Sequence, residues 1–306
     1  MPNLLYPPSR PLSVGEILDL AFRIFGATLL KCLPYSFAAV IIGQLPNVYT
    51  LATGQSLLPG AQQLQRFLDL KWWLLNIVAT LGTLALANAV LLRQYSLATG
   101  HSPATAAELA RGARKAPGML LIIILMVLAV MASFIPLFVL VLIGGGLGGI
   151  TGGMAGTNPS TNVISALIVA YIGGFVLLLI AASWAVVRWV CSGVVYLLTE
   201  RGPVQSMSHS WHLTGGSFGR LSVIYTVGAL LMAVFYLLAS AIAGLVAFSA
   251  RGDLAVIAAI WAATVALLGA LISPFYSALV LAVFGDLSVR REGSDLAQRI
   301  SAPATQ

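Results

Sequence analysis

The chain has 306 residues, 59% hydrophobic and 8% charged, with a mean hydropathy of +0.97. Soluble globular domains carry about 25% charged residues to keep their surfaces wet. A third of that excludes a soluble globule and a disordered segment and leaves a polytopic membrane protein. The net charge of +7 then reads as basic residues facing anionic headgroups, and nucleic acid is not expected as a partner.

Residues 1–10 hold no run of positive charges. The first apolar segment carries Lys31, Pro34 and Pro46 and no small-residue cleavage pattern, so no cleaved signal peptide is expected. A helix needs about 20 apolar residues to cross a hydrocarbon core of roughly 30 Å. Six segments qualify, at about 28–50, 72–92, 117–143, 163–187 (or on to 198), 221–249 and 254–284. Long continuous apolar runs fit helices that satisfy their own backbone hydrogen bonds, and they lack the short alternating segments of a β-barrel.

Six spans place 13 Lys and Arg on the side of the N-terminus and three, Arg66, Lys71 and Arg251, on the other. Basic residues resist translocation, so both termini are expected in the cytoplasm of a bacterial cell, with the chain in its inner membrane.

Three stretches repeat, beginning at Pro11, Pro103 and Pro203, 92 and then 100 residues apart. Each precedes a short amphipathic segment and then an apolar hairpin. Ser13/Glu16 and Thr105/Glu108 have the spacing of a capping box, in which a hydroxyl and a carboxylate satisfy each other's orphan amides; the third copy lacks the glutamate. The expected fold is all-α: one membrane domain over 1–306, six transmembrane helices in three repeated units of interfacial helix plus helical hairpin. The units span about 11–100, 101–201 and 202–293, with a short cytoplasmic tail over 287–306. In the first unit Val14, Ile17, Leu18, Ala21, Ile24 and Phe25 form one apolar face. Arg111, Arg114 and Lys115 in the second, and Trp211 in the third, are expected as interfacial anchors to anionic headgroups. Two readings of these helices stand: membrane anchors, or a cytoplasmic collar for a protein partner.

The segments Arg10-Pro11-Leu12-Ser13-Val14-Gly15-Glu16-Ile17-Leu18-Asp19, Ser210-Trp211-His212-Leu213-Thr214-Gly215-Gly216-Ser217-Phe218 and Phe284-Gly285-Asp286-Leu287-Ser288-Val289-Arg290-Arg291-Glu292-Gly293 resemble a group of bacterial multispanning proteins. That group is similar to the membrane domain attached to some glycerophosphoryl diester phosphodiesterases, and Ser288 stands where it usually has arginine. The resemblance spans nearly the whole chain and implies no catalytic residues. The hydrolase activity belongs to a separate soluble barrel, for which the roughly 20 residues after the sixth segment leave no room.

The remaining chemistry is sparse. His209 and His212 lie one helical turn apart with no carboxylate or cysteine to complete a metal set. Cys32 and Cys191 read as packed thiols. The glycine cluster between Gly144 and Gly156 lacks the Gly-Lys-Ser/Thr of a phosphate loop and reads as an extracytoplasmic loop. No nucleophile motif and no Asp or Glu deep in a span is present, so neither an enzyme, a cofactor, a metal nor an ion-coupled carrier is expected. Among polar groups near apolar runs, Asn76, Asn88, Asn162 and Arg188, the proline alignment sets Arg188 opposite Asn88. These two either contact a lipid or substrate headgroup, or Arg188 snorkels beside Trp184 and Trp189. The leading expectation is a non-catalytic scaffold or accessory subunit, with membrane lipids and a membrane protein as partners. The alternative is a lipid or small-molecule conduit using Arg188 and Asn88.

Overall fold

A computed structural model describes residues 5–8, 10–54, 68–102, 104–136, 139, 161–249 and 254–301. Among these the chain is helical without strands. The helices are α1 (Val14–Gly43), α2 (Leu45–Ala52), α3 (Leu70–Ala98), α4 (Thr105–Ser133), α5 (Thr161–Trp189), α6 (Ser192–Leu198), α7 (Pro203–Leu213), α8 (Phe218–Ser249) and α9 (Leu254–Ser301).

Helix α1 starts where its sequence dictates. The Glu16 amide donates to Ser13 Oγ at 3.4 Å, and the Ser13 amide donates to Glu16 Oε2 at 2.7 Å. This completes the first expected capping box. Its buried stripe, Ile17, Leu20, Ala21, Ile24, Thr28, Cys32, Ser36 and Ala39, then runs on without interruption. No separate interfacial helix therefore precedes the first span, because one apolar face serves both. The same correction holds for the second unit, where α4 carries Glu108 and Lys115 into its apolar part as one helix. Its capping box is absent: Thr105 lies inside the helix, and Ala104 precedes it without a side-chain cap. Only the third short helix, α7, stands apart, entered at Pro203 and followed by the turn at Thr214–Ser217. The Gly202 amide donates to Gln205 Oε1 at 3.3 Å, so a glutamine fills the glutamate's place there.

Among the described residues, five stretches are long and apolar enough to cross a membrane: Val14–Ala52, Leu70–Ala98, Thr105–Ser133, Phe218–Val246 and Ala266–Arg291. The protein is a multi-pass membrane protein. The fourth expected segment is the helix α5, which continues past a break at Cys191 into α6; Ala182–Leu198 is its shorter apolar part among the described residues. The expected tail is helical as far as Ser301. Large apolar side chains such as Leu30, Met131, Leu237 and Leu245 are exposed, as they are where lipid, not water, covers the surface.

The core gathers on the apolar part of α9. More than half of that span's most apolar stretch is buried, far more than in any of the other four. Helix α1 packs along α9 and α3, and α3 along α4. Helices α3 and α4 meet backbone to backbone at Gly112, where a Cβ would lie 2.6 Å from the Ala85 carbonyl oxygen. Close approach of this kind substitutes for hydrophobic drive within lipid.

One ionic knot ties the chain's beginning to its end. Asp286 on α9 is 1% exposed. It accepts from the Leu12 amide at 2.7 Å, from Arg220 Nη2 at 2.6 Å and from Arg290 Nε at 3.0 Å. Arg220 and Arg290 in turn donate to the Leu12 carbonyl at 2.8 and 2.7 Å. Asp286→Ala should lower stability by about 3–5 kcal/mol, the usual result of removing one partner from a buried ion pair. Reversible unfolding in mild detergent measures it; a loss below about 1 kcal/mol would show that the knot is dispensable.

Candidate functional site

The chain's cations converge at the end of the bundle formed by the start of α1, the end of α3, the start of α4, α6, α7, the start of α8 and the end of α9. Most of them are compensated. Arg93 on α3 pairs with Glu108 on α4 at 3.0 Å, and both are largely buried. Arg93 also donates to Thr105 Oγ1 and lies over the Tyr35 ring. Arg111 pairs with Glu200 at 3.7 Å. Arg220 and Arg290 share Asp286. Lys115 makes no ion pair among the described residues, but it donates to the carbonyls of Tyr196 and Thr199 at 2.6 and 2.7 Å, which α6 leaves orphaned at its C-terminus.

Arg188, in the last turn of α5, is held differently. Its guanidinium lies 5.3 Å from the Trp184 ring and 5.0 Å from the Trp211 ring. Trp184 and Trp211 meet edge to face at 5.0 Å, and Trp189 tilts against the same Trp211 at 5.6 Å. Such stacking holds a cation by the negative faces of the indoles without neutralising it. Arg188 makes no ion pair among the described residues; Nη1 reaches the Trp211 carbonyl at 3.4 Å, and Nε is buried without a partner. The backbone beneath is fastened by Ser210 Oγ and Thr214 Oγ1, which donate to the Arg188 carbonyl at 2.8 and 3.2 Å. His209 on α7 adds no firm charge. Burial first, and then the charges of Arg201 and His212, hold its imidazole below the ordinary histidine pKa.

Two apolar crevices adjoin this aromatic cage. One, of about 520 Å³, runs among α3, α4, α5, α6, α8 and α9 and is lined by Asn88, Met119, Trp189, Ser192 and Met232. The other, of about 490 Å³, lies among α5, α8 and α9 and is lined by Val187, Tyr225, Tyr236 and Phe275. They share the wall of Val186, Val190, Met232 and Tyr276. Trp189 therefore borders a crevice while it packs on the ring that stacks with Arg188. Tyr225 lines the smaller crevice with its buried hydroxyl unpartnered, a polar handle in an apolar space.

The expected residues are dispersed in role. Asn88 is 2% exposed and donates to the Gly112 carbonyl at 3.1 Å, pinning α3 to α4. It also lines the larger crevice, but no hydrogen bond joins it to Arg188, and Arg188 does not line that crevice. The expected Arg188–Asn88 pair is thus two separate features. Arg114 and Lys31 are exposed and Arg111 is half-buried. Lys115 is buried and caps α6, so it does not face headgroups. Trp211 packs within the Arg188 cage. Asn76 bonds locally to the Trp72 carbonyl. Cys32 and Cys191 are free and buried. The side chain of Asn162 and the glycine cluster of 144–156 lie outside the described residues. Among the described residues no group of three or more metal-ligating side chains forms.

Sequence reasoning overlooked Asp286, Arg220, the Arg93–Glu108 pair, Arg291 and Tyr225. Only Asp286 carried a local signal, the Asp286/Arg290 spacing of one helical turn. No protein-family model, curated protein or solved structure matches the chain.

Lys115→Met should destabilise the protein by about 1.5–3 kcal/mol, the range for a hydrogen bond to a charged group, whereas exposed Arg114→Gln should leave unfolding unchanged. Unfolding of both variants in detergent distinguishes a buried cap from a headgroup anchor. Equal, negligible effects would contradict the capping role.

Proposed function

We propose that the protein binds an anionic lipid in the bacterial inner membrane, with its acyl region in the apolar crevices and its headgroup at Arg188. One observation carries this reading: crevices of ligand size share a wall beside an arginine that aromatic rings hold and that no carboxylate among the described residues neutralises. Apolar space with few polar groups at its edge is the usual form of a small-molecule site. This makes the alternative expected from sequence, a lipid conduit, the better supported one, with Arg188 kept and Asn88 reassigned to the crevice wall.

The reading includes the six-span, three-unit architecture with both termini cytoplasmic, and a kinship with the membrane domain of glycerophosphoryl diester phosphodiesterases. Contacts between consecutive units support the repeat. Arg93, ending the first unit, grips Glu108 of the second. Arg188, ending the second, grips Trp211 of the third. Asp286, ending the third, grips Leu12 of the first. Three units closing head to tail in this way form a ring. The shared location of the cations supports a cytoplasmic face.

Native mass spectrometry after purification in mild detergent should find bound phospholipid. Met232→Trp, which fills the wall common to both crevices, should lower its occupancy severalfold. Retention of a stoichiometric protein and no lipid would replace this reading with the scaffold role. Reporters fused after Gly156 and after Gln306 should lie on opposite sides, Gln306 inside; a cytoplasmic signal at Gly156 would overturn the orientation.

A further inference from the structure

The larger crevice is apolar, yet three side chains in its lining have hydrogen-bonding groups left unspent. Asn88 on α3 donates through Nδ2 to the Gly112 carbonyl at 3.1 Å. That bond fixes which end of the amide is which and leaves Oδ1 as the free acceptor. Among the described residues nothing donates to Oδ1, and it is not one of the polar atoms sealed inside the protein. Asn88 lines the crevice and is 2% exposed in all, so this oxygen opens onto the crevice.

Ser273 and Ser277, one turn apart on α9, line the same space. A serine or threonine inside a helix ordinarily turns back to the carbonyl four residues earlier. Ser36, Ser96, Ser133 and, on α9 itself, Thr264 do so. Ser273 and Ser277 make neither this bond nor any other side-chain hydrogen bond among the described residues, and neither hydroxyl is sealed off. The crevice's other serine, Ser192, is spent on the Trp189 carbonyl at 2.5 Å.

Unmet polar groups in an apolar space are costly until something meets them, and they select what does. Oδ1 is an acceptor only, so it calls for a donor. A plain acyl chain has none, and neither has an ester carbonyl. A hydroxyl has a proton for Oδ1 and lone pairs for a serine. Depth says where on the ligand that hydroxyl sits. Ser277 lies nine residues before Asp286, about 13 Å along the helix from the cationic end, and Ser273 lies one turn deeper. The ester linkages of a phospholipid sit directly beneath its phosphate, so a group at this depth belongs to the chain.

We propose that the larger crevice binds an acyl chain hydroxylated at mid-chain, its hydroxyl donating to Asn88 Oδ1 and accepting from the Ser273/Ser277 pair. This rests on the lipid-binding reading and specifies the chain, where that reading specifies the headgroup. Among the described residues no charged side chain lines the crevice, which suits a neutral group. A chain without the hydroxyl leaves all three polar groups unmet, which is how a site built around a hydroxyl rejects the analogue lacking it.

The test uses the full chain in nanodiscs of phosphatidylcholine containing phosphatidylglycerol whose second chain is either stearoyl or stearoyl hydroxylated at mid-chain. Lipid retention is read by native mass spectrometry. Wild-type protein should retain the hydroxylated lipid about fivefold over the plain one, as expected for one or two neutral hydrogen bonds. Ser273→Ala combined with Ser277→Ala breaks no hydrogen bond seen in the structure. It should bring that preference below about twofold and leave retention of the plain lipid unchanged. Asn88→Leu should do the same; because Asn88 also pins α3 to α4, the serine variant decides if Asn88→Leu fails to fold. Equal retention of the two lipids by wild type, or a preference that survives loss of both serines, would overturn the proposal. Under that result a lowered retention of both lipids in Met232→Trp still upholds crevice binding. Retention of neither lipid by wild type removes the lipid reading and the hydroxyl site together.

Discussion

A single buried carboxylate, Asp286, closes this bundle. It is 1% exposed near the end of the last apolar stretch, and an unpaired buried charge there would be costly. Two arginines and one backbone amide remove that cost, and the arginines also bind the carbonyl of the amide's own residue, Leu12. Three elements distant in sequence are thereby fixed relative to one another: the segment before α1, the start of α8 and the end of α9. Lipid offers no hydrophobic drive between helices, so polar knots at the helix ends and close backbone contacts such as that at Gly112 take a larger share in setting the arrangement. The knot also stations α9 so that Arg291, one residue beyond the clasped Arg290, reaches Gly215.

The division among the cations follows from this. Where an arginine has a carboxylate, as Arg93 has Glu108, the pair is largely buried and joins one helix to the next. Where it has aromatic faces, as Arg188 has Trp184 and Trp211, the charge is held in place and left available. The same residue type thus serves as fastener or as site, and the partner decides which. Lys115 shows a third case, in which helix-end carbonyls do the work of a carboxylate.

Much of the architecture was legible from composition and hydropathy alone, because lipid leaves helices few alternatives. The first capping box was legible too, since Ser13 and Glu16 are local partners. The second was not: Glu108 has the right spacing to Thr105, but the nearby Arg93 offered it a full charge, and an ion pair outweighs a cap on an orphan amide. The breaks expected between interfacial and spanning helices failed because α1 and α4 each run on through that boundary as one helix, α4 even past Pro117; a change in polarity along a helix is not a stop signal. Arg188 was visible as a charge in an apolar run. Arg291 was not, since only tertiary closure across 103 positions, from 188 to 291, brings the two arginines to one turn.

The crevices lie where α5, α8 and α9 meet. A space of about 500 Å³ between apolar helices leaves its lining atoms short of dispersion contacts within the protein. The chain could have filled this seam with larger side chains; instead Ala229 and Gly228 line it on α8, with the unpartnered hydroxyl of Tyr225 one turn earlier. Small residues and an unmet hydrogen-bond donor line this seam, and Arg188, without an ion pair among the described residues, lies beyond its Trp189 edge. The proposed lipid reading asks of this seam an amphipathic occupant, with an apolar body in the crevice and an anionic head at Arg188.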